Sequence, residues 1–407
     1  MSGDARRAPG VLDDGGPPGD PRRDPRAYLD ACADRYGPVF TLTADQTHVR
    51  APGIIRQVLR TESAFPLVPA LLGTTRDSIQ IDHPDRWRLA RRLIWDHLDA
   101  AGCAAAAPRF ALSWRERLGH GARFRSVGPV VDATAAVQWP FLLRDYTRPD
   151  LGPLLLATSH RRQRSINGLT PWGAYRLRRQ FDRVIGGLLA AVTRRRAAPD
   201  GSAPPDLLDS LLADDSGVLS DLDIAQSLAI CLDSAMMTTG SAACWTLLAY
   251  ADCDPATRAD LGDSAQAEAF VREVLRHTPV MEMLNRTAAT DTELGGHPVR
   301  EGSTVLMDIA GLHRDQRLWE EDPGRFCPAR WEADRPHAPG AYLPFGAGPR
   351  FCLGSRVATT TLTTLVQTLA DGYTVHGAGP PRCRRDNLNW PDPFRIEITS
   401  AAGSTGR

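Results

Sequence analysis

Phe345-Gly-Ala-Gly-Pro-Arg-Phe-Cys-Leu-Gly354 is the stretch on which the reading of this chain turns. Glycine at 346, 348 and 354 permits tight turns and close backbone approach to a flat ligand. A helical pattern begins near Cys352 and runs to about Gly372. The cysteine therefore sits where backbone N–H groups and a helix N-terminus favour a thiolate. Phe345 and Phe351 supply apolar cover for the sulfur. A lone cysteine ahead of a helix is more often a buried structural thiol, so the surrounding pattern has to decide.

Upstream of that loop the chain is turn-rich from Asp315 to Gly348, and strand-like from Met281 to Met307 with a turn at Gly295-Gly296. Before it, Ser264–His277 reads as a helix that stops ahead of Pro279. Ser220-Asp-Leu-Asp223 resembles a capping box and opens a helix of roughly 30 residues, about 45 Å long, which ends before Pro255. Gly240 inside this helix is expected to be a weak spot. Towards the N-terminus, helical stretches alternate with Pro and Gly breaks between Asp206 and a basic amphipathic helix over Asp85–Leu98. Residues 65–80 carry turn formers and no clear period. Gly53–Arg60 reads as a helix, and Tyr36–Thr43 with Gln46–Arg50 as two short strands about a polar turn. No internal repeat and no composition shift marks a second domain. The expectation is a mainly α protein with a minor β-sheet region.

With 407 residues, 42% hydrophobic and 24% charged, the composition is that of an ordinary globular protein with a sizeable core. Lys plus Arg and Asp plus Glu both count 48, which gives no reason to expect nucleic acid or an anionic membrane as partner. Eight cysteines are scattered without the spacing of a disulfide framework or zinc site, as in a reducing compartment. No run approaches the roughly 18 apolar residues of a membrane span. Residues 1–26, rich in Gly, Pro, Asp and Arg, are read as a disordered leader rather than a signal peptide or anchor. One domain over 27–407 and a cytoplasmic location are expected.

The cysteine segment resembles the haem-binding loop of cytochromes P450, with the pattern Phe-x-x-Gly-x-x-x-Cys-x-Gly. Phe345, Gly348, Cys352 and Gly354 satisfy it, and Ala358 matches the small residue on the following helix. The resemblance extends over most of the chain from about Tyr36. Glu273-Val-Leu-Arg276 fits the family's Glu-x-x-Arg pair, which shares a helix face. Phe326-Cys-Pro-Ala-Arg-Trp331 resembles the family's meander, where Arg330 completes a buried network with Glu273 and Arg276. The resemblance implies the cytochrome P450 fold, a triangular prism with a long central helix over the haem. It also implies haem b (iron protoporphyrin IX) with Cys352 as the iron's ligand. Arg350 and Arg286 match positions that bind the haem propionates. Trp87 with Arg91 looks like a third contact, although a second register points to Arg86 and leaves Ala90 opposite it. Arg88, Arg92 and Arg356 form either a basic docking face for an acidic ferredoxin or flavodoxin or a plain solvated face.

In this family the central helix carries an acid followed by threonine. The matching run here is Ser234-Ala-Met-Met-Thr-Thr239. Thr238 falls on the oxygen-side threonine, Ala235 on the small position that makes room for dioxygen, and Met237 on the acid position. Methionine cannot relay protons. Three explanations compete: water or a substrate group delivers protons, the reaction is a coupling, rearrangement or dehydrogenation, or another acid substitutes. Asp233 and Glu282 are the carboxylates considered for that role or for a cationic substrate, a surface aspartate being the competing reading of the first. Ile230, Ser234 and Leu284 complete the expected substrate pocket, with Met236, Met281 and Met283 as pocket or core residues. The stretches 65–80 and 160–182 match the segments that cover the substrate channel.

The implied function is that of a haem-thiolate monooxygenase or oxidase tailoring a natural-product intermediate, acting as a monomer on a small molecule. Electrons come from a separate ferredoxin or flavodoxin with its reductase, because no flavin or nicotinamide domain fits the remaining length. The Arg-, Ala- and Pro-rich composition suggests a GC-rich bacterial genome. A peroxide-dependent enzyme and a non-catalytic haem-binding scaffold are the alternatives that Met237 prompts.

Overall fold

The structure is a computed structural model. It describes residues 8–17, 19, 21, 23–67, 78–144, 151–165, 170–198, 204–320, 322–331, 337–377, 382–385 and 388–400. In chain order the first elements are α1 (Val11–Asp14), α2 (Pro25–Tyr36), β1 (Val39–Thr43), β2 (Gln46–Val49), α3 (Pro52–Arg60), α4 (Pro84–His97) and α5 (Ala100–Leu118). There follow β3 (Gly121–Phe124), α6 (Gly128–Leu142), α7 (Gly152–Ser165), α8 (Pro171–Ala197), α9 (Leu207–Leu212), α10 (Asp221–Asp252), α11 (Pro255–Asp260) and α12 (Ser264–His277). The chain ends with β4 (Met283–Thr287), β5 (Thr292–Leu294), β6 (His297–Val299), β7 (Thr304–Asp308), α13 (Ile309–Leu312), α14 (Ser355–Ala370), β8 (Tyr373–Gly377), β9 (Arg382–Arg385), β10 (Asn389–Asp392) and β11 (Ile396–Ser400). The expected helices and strands are thus present, with boundaries shifted by a few residues at most.

Two units make up the chain, residues 1–70 with 272–352 and residues 71–271 with 353–407. The first is built on a four-stranded sheet of order β1-β2-β7-β4. Strands β1 and β2 pair antiparallel across the Ala44-Asp45 turn, β2 and β7 run parallel, and β4 returns antiparallel to β7. Gly295 and Gly296 lie at φ 58° and 84°. Two successive positive φ values suit the two-residue turn that joins β5 to β6. Val49, Ile55, Val58, Leu59, Val305 and Met307 are buried together and form the core beneath the sheet and α3. Asp308, 1% exposed, takes Arg26 and Arg50 together, with N–O distances of 2.6 to 3.0 Å, and these contacts tie α2 to the end of β7. Both guanidiniums hold its carboxyl well below the usual carboxylate range, against the cost of burial.

Residues 8–17 depart from the expected disordered leader. Ala8 is buried, Thr41 N–H donates to Pro9 O at 3.0 Å, and α1 packs beside β1. The leader's composition gave no warning because its partner is a strand edge some thirty residues away.

The second unit is organised by α10. Ser220 and Asp223 form a reciprocal capping box, and Asp221 and Asp223 place negative charge in the first turn, where the helix dipole favours it. Its 32 residues span about 48 Å at the usual rise. Most of the helix is buried, because α6, α8, α14 and β8 pack around it. Trp139 of α6 donates to Leu232 O at 3.0 Å, and Trp245 and Ser241 of α10 hold Asn389 O of β10 at 2.9 and 2.6 Å. Strands β3, β11 and β8 make an antiparallel sheet. Among the described residues no helix is long and apolar enough to cross a membrane.

Gly240 is not the weak spot that its propensity suggests. A Cβ there would lie 2.9 Å from Val131 Cγ2 and 3.0 Å from Val131 Cα, so glycine is what lets α6 cross α10 closely. Gly240→Ala should therefore lower the unfolding free energy by about 1–2 kcal/mol, since overpacking outweighs the ~1 kcal/mol that alanine gains in a helix. Urea melts of the two proteins check the sign; stabilisation by alanine would mean that the helices part without penalty.

A second expectation concerns His48 of β2. It is 3% exposed, stacks on Phe40 at 5.1 Å, and neither ring nitrogen has a partner among the described residues. Burial, with help from the Arg26 and Arg50 charges and against that of Asp308, pushes its pKa down to about 4. The folded protein keeps the ring neutral while the unfolded chain protonates near pH 6.5, so the unfolded state binds more protons in between. Stability should fall as pH drops from about 6.5 to about 4 and stop falling on this account below that. His48→Phe should flatten the slope in this window by up to about 1.4 kcal/mol per pH unit. Unfolding free energies measured at several pH values decide it; an unchanged slope would rule His48 out as its source.

Candidate active site

The first unit brings together the cysteine loop, two arginines and the Glu273 network. Gly346 and Gly348 lie at φ 69° and 72°. A Cβ on Gly348 would meet Leu59 O at 2.4 Å, so this glycine is required both by its backbone angle and by the close approach of α3. The turn Gly348–Arg350 closes with Phe351 N–H on Gly348 O at 3.0 Å, and Cys352 N–H donates to Phe345 O at 3.0 Å. The Phe345 and Phe351 rings meet edge to face at 6.4 Å. Cys352 is exposed, in contrast to Cys32, Cys103 and Cys244, which are buried. Burial pushes the Cys103 thiol up to about 11 and raises that of Cys244 as well, so those two are inert core groups. The chain enters α14 three residues after Cys352, through Gly354 as N-cap at an ordinary φ of −81°.

Arg286 on β4 is 8% exposed, and its Nη1 donates to Asn285 O at 2.7 Å. Arg350 donates from Nε to Glu62 Oε1 at 2.6 Å. Burial, and then the like charge of Arg350, lower the pKa of Arg286, while Glu62 opposes the change. Two guanidiniums thus face each other's field, and Arg286 has no ion pair among the described residues. Sequence reasoning missed Glu62, which carries no local signal. Leu284 packs against the same region, its Cδ1 4.0 Å from where a Cβ on Gly346 would lie. Glu282 is half-buried, as are Met281 and Met283, and Glu282 O accepts from Ala310 N–H at 3.0 Å.

Glu273 and Arg276 are both 0% exposed and form a bidentate pair at 2.8 and 2.7 Å. The remaining acceptor capacity of Glu273 goes to Cys327 N–H at 2.8 Å and Trp331 Nε1–H at 3.0 Å, with Arg330 Nε at 3.5 Å. Arg276 spends its other donors on His313 O, Pro323 O and Arg325 O at 2.7 to 3.1 Å. Trp319 lies under it, 5.1 Å from guanidinium carbon to ring centroid. The three residues expected as a scaffold network are together; Trp319, Trp331 and His313, which complete it, were not foreseen.

In the second unit, Trp87 and Arg91 share a face of α4 at i,i+4. Trp87 is 5% exposed and its indole N–H finds no acceptor among the described residues. Arg91 is half-buried, Ala90 is fully buried, and Arg86 reaches Asp223 at 3.5 Å. On α10, Ile230, Ala235 and Thr238 are half-buried and Ser234 is exposed, a stripe at spacings of three and four along an otherwise buried helix. Asp233 is half-buried beside it. Thr238 Oγ1 donates to Ser234 O at 2.8 Å. Met237 is 7% exposed. Met236, read as pocket or core, is fully buried. Of the expected channel covers, residues 68–77 and 166–169 lie outside the described residues. Arg88 pairs with Asp85, and the Arg356 guanidinium sits 4.4 Å over Trp95.

Residues 254–386 match the family model described as Cytochrome P450. Cytochrome P450 132 of Mycobacterium tuberculosis is 30% identical over 214 residues, 48% of this chain and 45% of that protein. Cytochrome P450 138 of the same species is 29% identical over 230 residues, 54% of this chain and 51% of that protein. The matched region spans about half the length of these curated relatives. A solved zebrafish cytochrome P450 with progesterone superposes with a TM-score of 0.75 at 21% identity, over 92% of this chain and 99% of that one. The fold is that of a cytochrome P450, mainly α with small sheets.

Cytochromes P450 bind haem. In the first unit the donors suit it: an exposed thiol in a glycine-bounded loop, and two mutually repelling guanidiniums that call for anionic groups such as propionates. In the second, the buried indole N–H of Trp87 is a donor that a carboxylate would satisfy.

Glu273→Gln should lower the unfolding free energy by about 3–5 kcal/mol, because it leaves buried arginine charge uncompensated. Denaturant midpoints measure it; a loss below about 1 kcal/mol would mean that water reaches the pair.

Proposed function

We propose that the chain is a haem-thiolate monooxygenase or oxidase acting on a small molecule, a natural-product intermediate, with Cys352 as the iron's ligand. The carrying observation is the glycine-bounded loop that exposes Cys352 two residues after Arg350, whose charge acts on the buried Arg286. When bound, the haem supplies activation of dioxygen, its electronics set by the thiolate. The protein's share is positional. Arg286 and Arg350 hold the propionates, with Glu62 limiting their repulsion. Within the second unit, Trp87 and Arg91 of α4 would be donors suited to a carboxylate. Phe345 and Phe351 cover the sulfur.

Thr238 keeps its proton directed at Ser234 O, so its lone pairs are what it offers to a neighbouring donor. Met237 neither gives nor takes a proton. Proton delivery is therefore assigned to water or to the substrate itself. Electrons come from a ferredoxin or flavodoxin; exposed Arg92 and the Arg356–Trp95 pair support a basic docking face, while Arg88 is partly neutralised by Asp85. A cytoplasmic monomer is the accompanying reading. The buried Met237 favours one second reading, an enzyme fed by hydrogen peroxide, which arrives with its protons already in place.

Haem-loaded protein should give the thiolate-type band in its reduced carbon monoxide difference spectrum, and Cys352→Ala should abolish it. A band unchanged by that substitution would overturn the assignment. Turnover with hydrogen peroxide but with no ferredoxin system would select the second reading, and a protein yielding no product above free haem would be a scaffold.

A further inference from the structure

Between the Glu273 cage and the cysteine loop lies a histidine that neither the Glu-x-x-Arg pair nor the loop pattern includes. His313 follows α13 and is 0% exposed. Its Nδ1 lies 3.2 Å from Arg276 O, and Leu343 N–H donates to its Nε2 at 2.9 Å. A carbonyl can only accept and an amide N–H can only donate, so the ring is held as the Nδ1–H tautomer with Nε2 as acceptor. Its own carbonyl receives Arg276 Nη1 at 2.7 Å, which makes the link to the cage reciprocal. Tyr342 stacks on the ring at 5.6 Å, and Trp319 meets it edge-on at 6.4 Å. Burial and the Arg276 charge push its pKa down to about 3, so the acceptor is not lost to protonation under ordinary conditions.

From Leu343 the bonding continues into the loop. Gly346 N–H donates to Leu343 O at 3.2 Å, and Cys352 N–H donates to Phe345 O at 3.0 Å. Leu343 is thus the point at which the loop's internal ladder is fastened, and His313 is the side chain that fastens it. We infer that His313 is a positioning residue for the cysteine ligand: it transmits the fixed geometry of the Glu273–Arg276 cage, through Leu343, to the backbone that carries Cys352. The inference rests on the reading of Cys352 as haem ligand.

The two ends of the imidazole can be tested apart. His313→Asn keeps a polar group near the Nδ1 position and loses the acceptor for Leu343. His313→Gln reaches the Nε2 position and keeps it. Expected are similar urea midpoints for the two variants but a split in spectrum: H313N moves at least half of the reduced carbon monoxide band from the thiolate to the thiol form, and H313Q stays within about a fifth of wild type. In haem-free protein, amide exchange over residues 343–352 should quicken about tenfold in H313N and little in H313Q. Equal spectra for the two variants, or losses that merely follow the urea midpoints, would overturn the inference. Nuclear magnetic resonance of ring-labelled wild type guards against a variant that does not fold, since an Nε2–H tautomer would also overturn it. A wild-type protein without a thiolate band would instead sink the reading of Cys352, and the exchange comparison would still judge the hold of His313 on the loop.

Discussion

The bond on which the most depends is the buried ion pair between Glu273 and Arg276. Both side chains are wholly out of water, so their desolvation cost is large, and mutual attraction offsets it only if every remaining donor and acceptor is also satisfied. That requirement explains the cage. Glu273 collects Arg276, Arg330, Cys327 N–H and Trp331, while Arg276 is driven to the carbonyls of His313, Pro323 and Arg325. The result adds little net stability over an apolar core of the same shape. What it fixes is geometry: α12, the turn at His313 and the stretch 323–331 meet at one ion pair, and none can shift without stranding a charge.

The cysteine loop is placed by similar constraints at three points. Leu343 N–H is fastened to His313, Gly348 is pressed against Leu59 O, and Arg350 is drawn to Glu62. Just past these anchors the loop keeps its sulfur exposed, while Cys103 and Cys244 are buried, which suppresses thiolate formation. The like charges of Arg286 and Arg350 would be a poor arrangement in a structure built for stability alone. They become intelligible as a site that awaits anions.

Much of this was legible in the sequence wherever the signal is local. The capping box at Ser220 and Asp223, the Gly295-Gly296 turn and the spacing of Phe345, Gly348 and Cys352 each depend on neighbours a few residues apart, and each element formed where the pattern places it. The misses are non-local. Gly240 looked like a defect because its use, the crossing with Val131, belongs to another helix. Residues 8–17 looked disordered because their partner, Thr41, is a strand edge. Met236, pocket or core by its pattern, is fully buried, two residues of register and about 160° of arc from Ser234 and Thr238. His313, Trp319 and Glu62 carry no motif, and Trp331 closes the meander pattern without any sign of its bond to Glu273; only burial and bonding distinguish them.

The departure at Met237 gains a physical reading from α10 itself. An acid at this position would sit at 7% exposure and would need a partner to stay ionised. Methionine fills the space without that demand. The cost falls on Thr238, whose hydroxyl proton is already committed to Ser234 O, so the open stripe presents oxygen lone pairs and no side-chain acid at that turn. On the proposed reading the protein has moved the proton supply from its central helix to whatever occupies the stripe. That selects for substrates or ordered water able to donate, and it ties the choice of reaction to the choice of ligand.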